Sequence, residues 1–304
     1  MFNALTIGYL FLGGVGAGLC VVLSVLECAA VCKPSRSCAS AGFALPGDLF
    51  ARGWTCCFVL LALGVTCLVS DVGRPDRLLG LFTSPHATAL TVGSFALAAT
   101  LVCSGALALA LLLDAGGLSR AAVLGLSGTG AVAGMVTAAY TGVLLQSLPS
   151  VLAFRTPLIP VLFTLSSLSC GIACVFVIAA FTESRHPRLR PVFALARVDG
   201  VLILCEAAAL AAFVLGALAG EGTRLGAQEL IACDMAGYFW GGLVICGLAI
   251  PFAMERLLTY GNARVQLLWI AACLLAGGLS LRFCVVGLAA FDVTQMPGAL
   301  FGVG

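Results

Sequence analysis

The run Asp71-Val-Gly-Arg-Pro-Asp-Arg77 packs two acids and two arginines into seven residues, in a chain where only 9% of residues are charged. On either side of it lie apolar stretches, near 49–70 and 88–113. Each is long enough to cross a bilayer, which takes roughly 20 residues of helix. Ionised groups are costly to take out of water unless they are paired or solvated, so these four charges belong at a membrane rim. The run is either a solvated stop between two spans or the polar edge of a site.

Working outward, the same pattern repeats along all 304 residues. Hydrophobic residues make up 62% of the chain and the mean hydropathy is +1.16, whereas a soluble domain is about 45–50% apolar and about 25% charged. Backbone groups in hydrocarbon must be satisfied within the protein, which leaves helices or a closed barrel. The apolar runs are long and do not alternate with period 2, which selects helices. The expectation is an all-α integral membrane protein of about eight transmembrane helices, near 4–31, 49–70, 88–113, 120–147, 157–182, 197–219, 235–254 and 265–290. Pro46, Pro75, Pro149, Pro157 and Pro187 fall in or beside the connections, where a missing N–H does least harm. No linker or composition shift divides residues 1–304, so a single domain is expected.

The Lys/Arg bias of the loops sets the orientation. Lys33, Arg36, Arg52, Arg120, Arg185, Arg188, Arg190, Arg197, Arg256 and Arg264 flank the connections opposite the termini. Only Arg74, Arg77, Arg155 and Arg224 lie on the termini side. Both termini are therefore expected on the outer, non-cytoplasmic side, with the Asp71–Arg77 run. The N-terminal Met1-Phe-Asn-Ala-Leu-Thr has no basic residue before its apolar run, unlike a signal peptide, and reads as the start of a permanent span. The net charge of +2 gives no indication of nucleic-acid binding. The 15 cysteines are scattered through apolar runs, as small buried hydrophobes are. No set has the close spacing of iron–sulfur ligands.

The glycine run Gly13-Gly14-Val15-Gly16-Ala17-Gly18 lacks the strand and βαβ unit that a dinucleotide site needs, and reads as a close-packing face for a neighbouring helix. Helical rise then assigns depths. Tyr140 lies roughly 30 Å beyond Arg120, and Arg282 roughly 27 Å beyond Arg264, so both fall in the outer half. Asn3, Thr6 and Tyr9 lie at the outer end of the first span, and Gln146 and Asp234 at outer ends of others. Arg282 is the sharpest of these, because an arginine inside a span normally has a partner or a wet cavity. Asp71, Asp76 and Asp234 are candidate partners by depth; snorkelling to lipid phosphate is the alternative. Tyr9 and Tyr140 read equally as belt aromatics.

Glu206 lies roughly 13 Å beyond Arg197, near the midplane, where a carboxylate is protonated, paired or part of a proton path. Asp199 and Glu27 are nearer the inner rim and read as solvated or paired, with a route through Asp199, Glu206 and the outer cluster as the functional alternative. The two histidines, His86 and His186, fall at loops or span ends on opposite sides, which argues against a haem held inside the bundle.

Three stretches resemble the NrfD/PsrC family of quinone-reactive membrane subunits: Tyr9-Leu-Phe-Leu-Gly-Gly-Val-Gly-Ala-Gly18, Asp71-Val-Gly-Arg-Pro-Asp-Arg77, and Tyr140-Thr-Gly-Val-Leu-Leu145 with Thr156-Pro-Leu-Ile-Pro160. The resemblance implies two four-helix bundles and no haem or iron–sulfur cluster in this chain. It also implies a quinone or menaquinol site near the outer face of a bacterial cytoplasmic membrane. The implied partners are a ferredoxin-like multi-cluster iron–sulfur subunit and a molybdopterin-type catalytic subunit beyond it. By motif match Tyr140 hydrogen-bonds a quinone oxygen, and Asn3, Thr6 and Tyr9 line the same pocket.

Quinol oxidation releases two electrons and two protons, so polar groups must meet the two oxygens and take the protons. Tyr140, His86 or a carboxylate would serve, with Arg282 in the same layer. Asp71, Arg74, Asp76 and Arg77 would form the rim where the partner docks. Glu206, Asp199 and Asp234 would form a proton path. The expected function is a membrane anchor that exchanges electrons between the quinone pool and an iron–sulfur partner. A secondary transporter, suggested by Glu206 and the glycine-rich spans, and a purely structural anchor are the alternatives.

Overall fold

The computed structural model describes residues 4–31, 47–72, 89–113, 119–147, 154, 156–182, 189–220, 223–233, 235–258 and 263–295. Among the described residues, eight helices are long and apolar enough to cross a membrane. In chain order they begin with α1 (Ala4–Val31), α2 (Gly47–Val72), α3 (Ala89–Leu112) and α4 (Arg120–Gln146). α5 (Leu158–Thr182) and α6 (Leu189–Ala219) follow, and then α7 (Arg224–Ala232), too short to span. The seventh span is a π-helical stretch, Gly237–Ala249, continuing into α8 (Ile250–Arg256). The last is α9 (Ala263–Gln295).

The first four spans pack on one another, and α5, α6, the seventh span and α9 pack as a second group. The two groups meet along α1 and α5, with α4 also touching α5 and α9 reaching α1. Burial follows this plan. In the apolar windows of α1 and α5, 83% and 72% of residues are buried, against 28–33% in α2, α3, α4, α6 and the seventh span. A helix apolar all round can sit anywhere in lipid, so its central place must come from shape. α1 has that shape in its glycine run. A side chain on Gly18 would overlap the backbone of Ser167, and one on Gly171 the backbone of Gly18. Backbone-to-backbone approach of this kind maximises dispersion contact where lipid removes the hydrophobic drive between helices.

The helices depart from the expected bounds chiefly at the end opposite Tyr9. α6 starts at Leu189 rather than near 197, and the seventh span runs to Arg256 rather than 254. Helical hydrogen bonds serve as well in the headgroup layer as in hydrocarbon, so hydropathy alone marks these ends short. The π-helical winding of the seventh span has no counterpart in the hydropathy pattern. Gly241, Gly242 and Gly247 lie within it and Pro251 just beyond. A proline removes one backbone donor and crowds the preceding turn, which favours local rewinding. At its far end the indole of Trp240 donates to the Ile231 carbonyl (3.0 Å), tying α7 to this span.

The seam yields a stability prediction. Gly18→Ala forces α1 and α5 apart and is expected to cost about 3 kcal/mol or more, the upper range for overpacking. Gly125→Ala, which meets nothing within 4 Å, is expected to be neutral or stabilising by about 0.5–1 kcal/mol. Thermal unfolding of the two variants in detergent checks the contrast.

Candidate functional site at the seam of the two bundles

Arg282 is the centre of the structure. It is 0% exposed and ranks among the largest fully buried side chains. Its Nε donates to the Leu10 carbonyl (2.9 Å), its Nη1 to the Gly278 carbonyl (2.7 Å) and to Ser166 Oγ (3.4 Å), and its Nη2 to Ser167 Oγ (3.0 Å). Phe11 and Phe163 place their rings 5.6 and 5.4 Å from the guanidinium carbon, close enough for cation–π attraction. A side chain on Gly14 would collide with the guanidinium, so that glycine makes its room.

These partners correct the sequence-based expectation twice. Arg282 does not snorkel, and among the described residues its hydrogen-bond acceptors are neutral oxygens rather than the Asp71 carboxylate. Asp71, offered as a partner by depth, is exposed and instead accepts from Thr6 Oγ1 (2.9 Å), tying the start of α1 to the end of α2. Asp76 and Asp234 lie outside the described residues, as do Asn3, Arg74, Arg77 and His86. The reason for the difference is that a helix carbonyl and a serine hydroxyl are already in the bundle at the right depth. An exposed acid would have to be pulled inward at a desolvation cost.

One residue before Leu10, Tyr9 is 3% exposed and faces Tyr140 of α4, itself 8% exposed. The two phenols are polar neighbours in this buried layer. Gly93 of α3 lies flat against the Tyr140 ring, where any larger residue would overlap it. Neither tyrosine is an exposed belt aromatic. Through Leu10, the tyrosine pair and the arginine share one layer, at the end of the bundle that holds the start of α1.

The buried acids fall into distinct environments. Glu27 accepts from Trp54 Nε1 (3.1 Å) and Ser127 Oγ (2.8 Å), so its reading as paired is met by two neutral donors. Glu206 lies beside Ser166, the hydroxyl that Arg282 also contacts. A cavity of about 10 Å³, room for about one water, is lined by Glu206, Ser166, Ser169 and Gly278. Asp199 is 0% exposed, not solvated at the rim; Ser169 and Glu255 are its polar neighbours.

Sequence reading missed Ser166, Ser167, Ser169, Gly14, Gly93 and Glu255. The serines carried a signal, since Ser166-Ser167-Leu-Ser169 puts three hydroxyls in the middle of one apolar span. Glu255 was hidden because hydropathy ends its span one residue early. Among the described residues, no group of three His, Cys, Asp or Glu side chains converges as a metal set.

A polytopic helical membrane protein whose two bundles are joined by a buried arginine beside a tyrosine pair is the class that this architecture defines. A family model described as polysulphide reductase, NrfD matches residues 1–292, and the chain belongs to that family. It is 28% identical over 159 residues to protein NrfD of Escherichia coli, covering 51% of this chain and 49% of the relative. It is 30% identical over 152 residues to the C subunit of polysulfide reductase from Wolinella succinogenes, covering 49% of this chain and 48% of the relative. The protein thus spans about half the length of the curated relatives it matches. With eight candidate spans and this family, it is a multi-pass protein of the bacterial cytoplasmic membrane.

Removing the arginine tests the seam. Arg282→Met removes the guanidinium's hydrogen bonds to the Leu10 carbonyl and to the Ser166 and Ser167 hydroxyls that tie α9 to α1 and α5, bonds from a charged donor being worth about 1.5–3 kcal/mol each. Arg282→Lys is expected to restore little, because a compact ammonium cannot reproduce the planar fork. Thermal midpoints of the three proteins in detergent should rank wild type well above both.

Proposed function

We propose that this chain is the membrane anchor of a redox complex and exchanges electrons between the quinone pool and an iron–sulfur partner, most simply by oxidising quinol. The observation that carries the reading is the buried Tyr9–Tyr140 pair, whose hydroxyls sit in one layer with Arg282 at the end of an otherwise apolar bundle. A quinone presents two oxygens on an apolar ring. Its recognition calls for a few convergent hydrogen-bonding groups in apolar walls, which is what this layer offers.

In this reading Tyr140 donates to one quinone oxygen and Tyr9 fixes the Tyr140 hydroxyl. Arg282 holds the helix backbone beneath them, through Leu10, without touching the quinone. Asn3, Thr6 and His86 would complete the pocket, and Asp71, Arg74, Asp76 and Arg77 its rim. The released electrons pass to a multi-cluster iron–sulfur subunit docked at that rim, and from it to a molybdopterin-type catalytic subunit. Protons leave by way of carboxyl groups among Glu206, Asp199 and Asp234. The rim faces the non-cytoplasmic side, as the loop charges imply. The family supports this reading, and one relative is named as part of a polysulfide reductase.

A secondary transporter is the rival, favoured by the rewound seventh span beside Glu206; substrate uptake by proteoliposomes of this protein alone would select it. For the quinone reading, Tyr140→Phe is expected to lower quinol oxidation by the assembled complex by about tenfold or more, the worth of one hydrogen bond strengthened in the transition state. Protein levels in the membrane should not change. Unchanged turnover that is also insensitive to quinone analogues would sink the proposal.

A further inference from the structure

We propose that Asp199 and Glu255 form a proton-binding pair at the end of the second bundle opposite the tyrosines, sharing one proton that exchanges with water through the cavity between Arg197 and Arg256. Asp199 is wholly buried on α6, and its two carboxyl oxygens have no satisfied hydrogen bond. The same holds for both oxygens of Glu255 on α8 and for the hydroxyl of Ser169 on α5. These are neighbouring groups, with Glu255 and Ser169 the polar side chains against Asp199.

A buried structural acid in this protein looks different. Glu27, in the first bundle, has two donors aimed at one oxygen. At Asp199 the neighbouring hydroxyl, Ser169, makes no such bond. Two carboxylates in contact in an apolar setting do not both stay ionised. A proton on either one removes the repulsion and also supplies the missing hydrogen bond, since a protonated carboxyl is a donor.

The cavity shows how the proton enters. It measures about 390 Å³ and is lined by Glu255, Arg197, Arg256, Gly200, Phe193 and Leu258. Glu255 lines its wall and Asp199 does not, so Glu255 is the nearer of the two acids to water and Asp199 stands behind it. Gly200 lies against Glu255, whose Oε2 would be 3.4 Å from a Cβ placed there. Among the described residues, the other charged groups at the cavity are Arg256 and Arg197. Arg256 stacks on the Phe252 ring at 4.9 Å, and Arg197 is exposed. Cys170, next to Ser169, donates its S–H hydrogen bond to the Leu274 carbonyl. On the inner side Ser169 also lines the small cavity that holds Glu206, two helical turns from Asp199 on α6. The pair is thus one hydroxyl from the mid-membrane acid. Its own existence does not depend on the quinone reading.

The test is labelling of the full-length protein in native membranes with dicyclohexylcarbodiimide, an apolar reagent that adds to a protonated carboxyl and leaves a stable N-acylurea. Peptide mass spectrometry is expected to find the adduct on Glu255 at neutral pH. As pH rises and the proton leaves, labelling should fall by about tenfold per unit. Asp199→Asn offers Glu255 an amide N–H in place of the shared proton, and labelling should drop by about tenfold or more as Glu255 becomes an ordinary carboxylate. Asp199→Glu keeps a shareable proton and should keep the label, which preserves the comparison if the Asn variant fails to reach the membrane. No adduct on either carboxyl, undiminished Glu255 labelling in Asp199→Asn, or protection by sodium at fixed ionic strength would each overturn the assignment. None of these readouts depends on quinone turnover, so the two proposals stand or fall separately.

Discussion

A single buried guanidinium ties the first, fifth and last helices together at the seam between the two halves of this protein. Arg282 comes from the last helix, and its donors end on the first helix through Leu10 and on the fifth through Ser166 and Ser167. A bare arginine at such depth costs several kcal/mol or more, yet here each of its three nitrogens finds an oxygen and two aromatic rings flank the cation. The glycines around it serve this arrangement. Gly14 clears space for the guanidinium, and Gly18 and Gly171 bring α1 and α5 close enough for the serines to reach it. Buried Glu206 lies beside Ser166, within electrostatic range of the guanidinium.

That layer is where the proposed quinone chemistry sits. Tyr9 precedes the carbonyl that Arg282 holds, so the position of the tyrosine pair is set by the seam rather than by a loop. Sites built on packed helices keep their geometry better than sites on connections. At the other end the acids separate by their surroundings. Glu27 accepts two hydrogen bonds and acts as a clamp between α1, α2 and α4, whereas the oxygens of Asp199 and Glu255 have no donor in hydrogen-bonding geometry. The same residue type does two jobs because one was given partners and the other was not.

Much of the fold was legible from the sequence alone. Run length and the lack of period-2 alternation implied eight helices, and the glycine run implied close packing of α1, as found. Rise per residue placed Tyr9, Tyr140 and Arg282 in one layer, and Arg282 does contact the backbone beside Tyr9. Its partners were not legible, because depth says which groups are level but not which face one another. Asp71 was level with Arg282 and yet turns to Thr6. Glu255 was missed for a related reason, since hydropathy ends a span where charge begins, while the helix and its burial continue.

What the sequence determined by itself was composition and period, and through them the class, the number of spans and the depth of each polar group. These follow from local physics: hydrocarbon demands internally satisfied backbones, and helical rise is constant. What only the tertiary structure decided was pairing. Small residues let α1 and α5 approach, and that approach chose serines and carbonyls over acids for Arg282, brought Tyr9 to Tyr140, and left Asp199 facing Glu255. The azimuth of each helix is fixed by packing against its neighbours, which in lipid depends on shape rather than on hydrophobicity, and shape complementarity between distant segments is not written in either segment alone.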